Sequence, residues 1–283
     1  MPERGAGTSH LSTLAFTAAA MLAFAANSLL CRLALARGGI DPASFGALRI
    51  VSGAVALALI VRGCARSGGD WASAAMLFAY VAFFSFAYVS LPAGTGALIL
   101  FGAVQLTMFG WALRGGERFG AAAWCGLALA AAGLVYLVLP GVSAPPLMGA
   151  VLMALAGAAW GVYSLRGRGS PDPLGATAGN FLRAAPLALV LWLPFAGMAH
   201  ADVTGIVLAI VSGALSSGVG YALWYTALRA LTAMRAATVQ LSVPLITAFG
   251  AVLVLDEAVT LRLVLASVAI LGGIALVLAR RTK

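Results

Sequence analysis

Ten stretches of about twenty apolar residues, split by short breaks, take up nearly all of this 283-residue chain. They lie at about 11–35, 43–62, 71–89, 92–113, 119–139, 147–165, 175–197, 203–227, 232–254 and 259–279. A helix needs roughly 20 such residues to cross a bilayer. Inside hydrocarbon every backbone N–H and C=O must be satisfied within the protein, so runs of this length fold as helices. Only 9% of the residues are charged and 63% are hydrophobic, whereas a soluble domain carries about 25% charged residues. There is too little polar surface to face water. The expected fold is an all-α membrane protein of ten transmembrane helices, with the lipid bilayer as its solvent. Met1–His10 is short and polar and the first run is too long for a signal core, so no cleavable signal is expected.

The breaks have backbone reasons. Gly38–Pro42, Arg62–Asp70, Arg114–Arg118, Pro140–Pro146 and Arg166–Pro173 are built from Gly, Pro, Asp, Ser and Arg, residues that end helices or form turns. The third and fourth runs meet at Leu91–Pro92. The net charge is +9, which in such a chain sets orientation before anything else. With the N-terminus in the cytoplasm, Arg4, Arg62, Arg66, Arg114, Arg118, Arg166, Arg168, Arg229, Arg280, Arg281 and Lys283 fall on the cytoplasmic side. Arg37 and Arg262 fall on the other. Arg32, Arg49, Arg183 and Arg235 lie within or near the ends of runs. Eleven against two predicts both termini cytoplasmic and gives the positive charge a role other than nucleic-acid binding. Cys31, Cys64 and Cys125 suggest neither a disulfide framework nor a metal site.

The chain also repeats itself. Met234–Ala279 laid over Gly94–Leu139 matches Ala97 with Ala237, Thr107 with Thr247, Phe109 with Phe249 and Gly110 with Gly250. Leu113 with Leu253, Glu117 with Glu257 and Gly133 with Gly273 complete the set. In a chain with eight acidic residues the paired Glu is the informative match. The earlier parts of the halves align too, with Arg32 on Arg166 and Arg49 on Arg183. Two five-helix repeats are expected, 11–139 and 147–280, joined by Pro140–Pro146. Five crossings per repeat turn the second one upside down. Accordingly, the Arg114–Arg118 turn is basic and its counterpart Asp256–Glu257 is acidic. Inverted repeats of this kind enclose a central site that opens to either side.

Chemistry at depth is scarce. All eight acidic residues and both histidines map to termini, loops or helix ends, which leaves no catalytic constellation, no metal site and no need for a cofactor. Glu117 and Glu257 are either helix-start carboxylates beside the helix dipole or gating groups. Arg49 and Arg183 lie several residues into their helices. They either snorkel to the interface or make an interior contact to carbonyls or a substrate carboxylate. Met76, Tyr80, Phe84 and Tyr88 recur every four residues, as do Gly213, Ser217, Tyr221 and Tyr225, and the two series align. Spacing of four puts each series on one helical face, packed on neighbours or lining a cavity. Tyr88 could instead be an interfacial anchor. Asn27, Gln105, Gln240 and Ser242 are the uncharged polar groups able to complete a cavity. Trp160 and Tyr163 add aromatic surface. Pro244 frees a carbonyl four residues back, at Gln240. Gly157-x-x-x-Gly161 fits close helix packing better than a site.

Ten spans in two halves, Arg49 and Arg183 at matched places, and Glu117 and Glu257 after the fourth helix of each half resemble the drug/metabolite transporter superfamily, EamA branch. The second half carries the closest match, in Trp160-Gly161, Asp172-Pro173, Arg183, Gln240 to Pro244, Asp256-Glu257 and Gly272-Gly273. The first half departs from the pattern, with Asn27 where a glycine is expected and Val104 where Pro244 has its counterpart. Within the branch the chain looks like the YddG-type exporters of aromatic amino acids, which also handle some aromatic cations. The resemblance implies a ten-helix basket with a largely apolar central cavity in the bacterial inner membrane. The expected activity is export of amino acids such as Phe, Tyr and Trp by alternating access, without a mid-membrane proton-coupling carboxylate. A carrier for nucleotide-linked or phosphorylated sugars or a drug cation is the alternative, and a non-transporting interaction subunit lies outside that class. The expected partners are a small-molecule substrate and the bilayer, with no nucleic acid, and a monomer is the working expectation.

Overall fold

The computed structural model describes residues 10–61, 68–141, 144–167, 170–228, 230–231 and 238–279. Ten helices among them are long and apolar enough to cross a membrane. They are α1 (His10–Ala36), α2 (Pro42–Val61), α3 (Trp71–Tyr88), α4 (Ala93–Arg114), α5 (Ala121–Val138), α6 (Leu147–Gly167) and α7 (Pro173–Trp192). After them come α8 (Val203–Leu228), α9 (Thr238–Leu255) and α10 (Leu261–Ala279). The chain is a multi-pass membrane protein. Large apolar side chains such as Leu59, Val190, Phe249 and Val268 stand exposed on its outer surface, where only lipid could cover them.

The helix starts follow the break residues. Asp70, Asp172 and Asp202 cap α3, α7 and α8, their carboxylates accepting from the backbone N–H of Ser73, Gly175 and Gly205. Such caps satisfy donors that a helix start leaves open. α7 is shorter than its apolar run and continues as a 3-10 turn over Leu193–Met198, where Pro194 interrupts the ladder. Two interruptions occur inside spans. α8 widens to a π-helix over Ser212–Val219. α9 turns at Leu241, just ahead of Pro244, before resuming over Ser242–Leu255. The charges at Arg4, Arg62, Arg66, Arg168, Arg229, Arg235, Arg280, Arg281 and Lys283 lie outside the described residues, as do Cys64 and the start of the ninth run.

α5 packs on α10, α2 on α7, and α4 on α9; α6 lies against α3 and α4, and α1 against α8 and α9; α2 meets α8, and α3 meets α7. Moving every helix number by five maps these larger contacts onto one another, while smaller ones such as α4–α10 and α1–α4 have no counterpart among them. Lipid tails are as apolar as leucine, so these contacts rest on close packing at small residues. A Cβ on Gly157 of α6 would lie 2.5 Å from the Leu100 carbonyl oxygen of α4. Gly161 is closed in similarly by Thr107, which makes the Gly157-x-x-x-Gly161 motif a packing seam. On the α5–α10 seam, a Cβ on either Gly126 or Gly273 would stand 2.5 Å from the other's carbonyl oxygen.

That seam predicts different outcomes for two adjacent glycines. Gly273→Ala has no room, because Gly126 and Ala130 backbone atoms oppose it, whereas Gly272 faces open space. Gly273→Ala is expected to cost about 1–3 kcal/mol, read as a lower thermal midpoint of the purified protein in detergent. Gly272→Ala is expected to leave the midpoint unchanged or slightly raised.

Candidate functional site

α4, α6, α8, α9 and α10 enclose a cavity of about 710 Å³, within the usual size of a small-molecule site. Its mouth lies where α4, α6, α8 and α10 end and α7 and α9 begin. Glu117, Trp111 and Gly167 stand at that rim. We call this the basic end, after its Arg114–Arg118 turn. The walls are apolar, from Leu106, Phe109, Ile274 and Leu278, with Gln105, Ser164 and Gln240 as polar points. No Arg or Lys among the described residues lines it. The side-chain amide nitrogen of Gln105 is buried and has no acceptor among the described residues.

The floor is aromatic. Trp160 and Tyr221 lie with ring centroids 5.1 Å apart, and Tyr80 sits 4.9 Å from Trp160 on the far side. Phe24 braces the group edge-on, at 6.2 Å from Trp160 and 5.9 Å from both Tyr221 and Trp224. Such edge and tilted pairs add about 0.5–1.5 kcal/mol each beyond burial. Beneath Trp160 and Tyr221 is a second cavity of about 20 Å³, lined also by Asn27, Ser28, Tyr80, Phe84 and Ser216.

A polar network underlies it. Arg49 of α2 donates from Nε to the Ser217 hydroxyl (3.2 Å) and from Nη2 to the Tyr80 hydroxyl (3.0 Å). Its guanidinium also lies over the Tyr80 and Phe84 rings, 5.1 and 4.9 Å from their centres. Asn27 donates to the same Tyr80 hydroxyl (3.2 Å) and accepts from Ser212 (2.5 Å). Arg49 is 1% exposed, so the snorkelling expectation fails. The partners that hold it inside come from α3 and α8. The π-helical turn of α8 brings Ser212 and Ser217 to this network, and Gly213 allows α8 to touch the Arg49 carbonyl.

At the opposite, acidic end the bundle is tied shut. Arg32 pairs with Glu257 at 3.2 Å and donates to the Tyr88 and Val89 carbonyls, which α3 leaves open at its end. The second Glu257 oxygen accepts from Ala93 N–H at 2.7 Å. Glu257 is thus a helix-start carboxylate, but for α4; Thr260 caps its own α10. Glu117 does not cap the helix that follows it, since α5 starts at Gly120 without a side-chain cap. An Ile40–Ala201 bridge and Asp202 N–H to the Gly39 carbonyl (2.7 Å) join the α1–α2 and α7–α8 turns. Burial pushes the Asp41 carboxyl up, but hydrogen bonds from Ser44 and His200 outweigh it and hold it below its ordinary value.

At the basic end Arg166 grips Asp70 (2.8 Å) and Ser73 (2.9 Å), tying α6 to α3. Arg183 donates to the Gly68 and Gly179 carbonyls at 2.7 and 3.0 Å. The carbonyl contacts expected as one alternative for it are therefore present. Of the sequence candidates, Gln105, Trp160, Tyr221 and Gln240 line the large cavity, and Asn27, Tyr80 and Phe84 the small one. Tyr88 is fully buried and donates to the Ala93 carbonyl, so it is no interfacial anchor. Tyr163 donates to Thr177 and Ser242 to the Val239 carbonyl. These three line neither cavity. Ser217 acts behind the floor as a partner of Arg49, and buried Pro244 comes just after the break in α9. Phe24, Ser212, Ser216 and Trp224 were not singled out in the sequence. Phe24 lies one turn before Asn27, the only spacing signal that pointed to it.

The EamA-like transporter family matches residues 147–279. A Pseudomonas aeruginosa protein named "Uncharacterized protein PA1977" is 55% identical over 285 residues, covering 99% of this chain and 97% of that one. A solved structure titled "Crystal structure of protein" superposes with a TM-score of 0.69 at 21% identity, over 97% of this chain and 100% of that one. That likeness is one of fold.

The Asp70 link yields a pH prediction. A hydrogen bond from the Ser73 hydroxyl, reinforced by Arg166, lowers the Asp70 carboxyl from 3.8 to about 2. A depressed carboxyl stabilises the fold above its ordinary value and loses that contribution as pH falls through the folded one. The stability difference between the protein and Asp70→Asn is therefore expected to be full at neutral pH. It should shrink below about pH 4 and vanish only below about 2, where both states are protonated, in thermal unfolding followed across that range.

Proposed function

Residues 147–279 match the EamA-like transporter family, and on that premise we propose that the chain exports small amphipathic solutes across the bacterial inner membrane. Aromatic amino acids (Phe, Tyr, Trp) head the candidate substrates, as in the YddG-type exporters it resembles. The observation that carries this reading is a large dead-end cavity. It is open at the basic end, floored by Trp160 and Tyr221, and shut at the acidic end by Arg32 and Glu257. Aromatic faces stack with a ring, and the Gln105 and Gln240 amides meet the polar part of a zwitterion. By the positive-inside rule the basic end is cytoplasmic, so the cavity faces the compartment from which an exporter loads. Both termini are then cytoplasmic as well.

Alternating access is the natural motion of two halves mounted in opposite senses. The larger helix contacts support this, because exchanging the halves maps them onto one another. The charges support it too. Arg32 corresponds to Arg166 and Glu257 to Glu117, so the closed pair at the acidic end has its counterparts at the rim of the mouth. In the outward-facing state we place Arg166 on Glu117 in place of Asp70, with Arg32 and Glu257 parted. No carboxylate lies at mid-membrane among the described residues, so transport runs down the solute's own gradient. The rival reading, a carrier of phosphorylated metabolites, needs cations on the cavity wall, where the described residues place none.

Counterflow in liposomes is expected to exchange radiolabelled Trp and Phe well above Thr or a phosphorylated sugar. Trp160→Ala, Gln105→Ala and Gln240→Ala should each lower exchange about tenfold, the effect of one lost contact of 1–2 kcal/mol. Unchanged exchange in all three would refute the cavity assignment. Topology is read separately: Arg118→Cys and Ala258→Cys, in a background free of other cysteines, should label from opposite compartments. Labelling of both from one side would refute the inverted arrangement.

A further inference from the structure

Beneath the aromatic floor sits a cation that no described residue neutralises. The ion pairs among the described residues are Arg32–Glu257 and Arg166–Asp70, and neither involves Arg49. Two of the Arg49 nitrogens bond hydroxyls, while Nη1 is buried without a partner among the described residues. An uncompensated charge at depth is among the costliest arrangements in a membrane, and such groups face substrate or ion pathways. A purely structural tie between α2 and α8 would not require a full charge.

The groups in front of Arg49 give the charge its direction. The Tyr80 hydroxyl receives hydrogen bonds from both Arg49 and Asn27. With its two lone pairs engaged, it has only its proton left to give. Asn27 accepts from Ser212 at its carbonyl oxygen and gives one amide hydrogen to Tyr80, which leaves its second amide hydrogen to donate beside one carbonyl lone pair. Tyr80 and Asn27 both line the 20 Å³ cavity. That space takes one water-sized atom, such as a single carboxylate oxygen of a group reaching in from the large cavity, and no carboxylate side chain lines it. Donors in front and a cation behind make a setting for a negatively charged acceptor. Trp160 and Tyr221 line both this pocket and the large one.

We propose that the small cavity is the subsite for the acid group of the transported solute. Tyr80 and Asn27 donate to it, and Arg49 acts as a positioning residue that polarises Tyr80 from behind. The solute's apolar body stays against Trp160 and Tyr221. The substrate class is then carboxylate-bearing molecules, amino acids and organic acids alike, and bare amines are discriminated against. This rests on the transport reading above and narrows it.

The test uses three probes that share one ring system: tryptophan, indole-3-propionate (acid, no amine) and tryptamine (amine, no acid). Binding is read as thermal stabilisation of the purified full-length protein in nanodiscs, and transport as counterflow in liposomes. Tryptophan and indole-3-propionate should bind about tenfold or more tighter than tryptamine, the effect of one charge-assisted hydrogen bond. Tyr80→Phe, which removes only the hydroxyl, should abolish that preference by weakening the acids and not the amine. Arg49→Gln should do the same, with partial rescue by Arg49→Lys. A structural role for Arg49 would weaken all three probes together, and if Arg49→Gln does not fold, Tyr80→Phe carries the test. Tighter binding of tryptamine, an acid preference that survives Tyr80→Phe, or no binding of either acid overturns the proposal. Acid binding that depends on Tyr80 without any counterflow upholds the subsite and refutes the exporter. Tryptophan counterflow with no Tyr80-dependent acid preference does the reverse.

Discussion

A polar group inside this bundle finds its partner within the bundle or in what enters its cavities, because lipid offers none. That constraint explains where the charges are. Arg32 serves carbonyls that α3 leaves open at Tyr88 and Val89, and Glu257 serves an N–H that α4 leaves open at Ala93. The two then satisfy each other. Arg183 meets carbonyls at the other end. Charged side chains here first complete the helix ends that face each other across the bundle. Any part in opening and closing is built on that role.

The same constraint sets how the helices approach. Water does not drive apolar faces together in a membrane, so contact depends on how near two backbones can come. Gly126 against Gly273, Gly157 against Leu100 and Gly213 against Arg49 are places where a single methyl would collide with backbone. The Gly213 contact falls in the π-helical turn of α8. A π turn inserts one residue and rotates the rest of the helix beyond it, and here it brings Ser212 and Ser217 onto Asn27 and Arg49. Packing and site thus share one deformation.

Hydropathy made the spans legible to within a few residues, because each helix must satisfy its own backbone and so announces its length. The Asp, Gly and Pro breaks were legible for the same local reason, and Asp70, Asp172 and Asp202 turned out to be caps. Lining residues were only partly legible. Spacing of four put Tyr80, Phe84 and Tyr88 on one face correctly. It could not show that Tyr88 points at the Ala93 carbonyl while Tyr80 fronts the pocket, since that depends on which helix covers each turn. The π turn left no periodic signal, and with it Ser212 was missed. Arg49 was ambiguous because an arginine some 10 Å into a helix, at 1.5 Å per residue, can reach the interface if its stem is free. Packing of α2 between α7 and α8 removes that freedom.

The two ends differ in a way that bears on motion. At the acidic end Arg32 and Glu257 bridge α1, α3, α4 and α9, so parting them opens several helix contacts at once. At the basic end Arg166 holds Asp70 and Ser73 on α3 alone, leaving α4, α8 and α10 apart around the mouth. Glu117 lies at that mouth on the loop after α4. A change in which Arg166 moves from the start of α3 toward Glu117 would draw α6 against the end of α4. Those two helices are already seamed at Gly157 and Gly161, so the end of α6 is the part that must travel. In the proposed motion the seam would serve as the fulcrum: fixed where backbone meets backbone, while the end that carries Arg166 is held by its bonds to Asp70 and Ser73. A solute whose acid group reaches past Trp160 and Tyr221 toward Tyr80 would act on both sides of that fulcrum, because α3 carries Tyr80 and also Asp70, from which Arg166 has to let go.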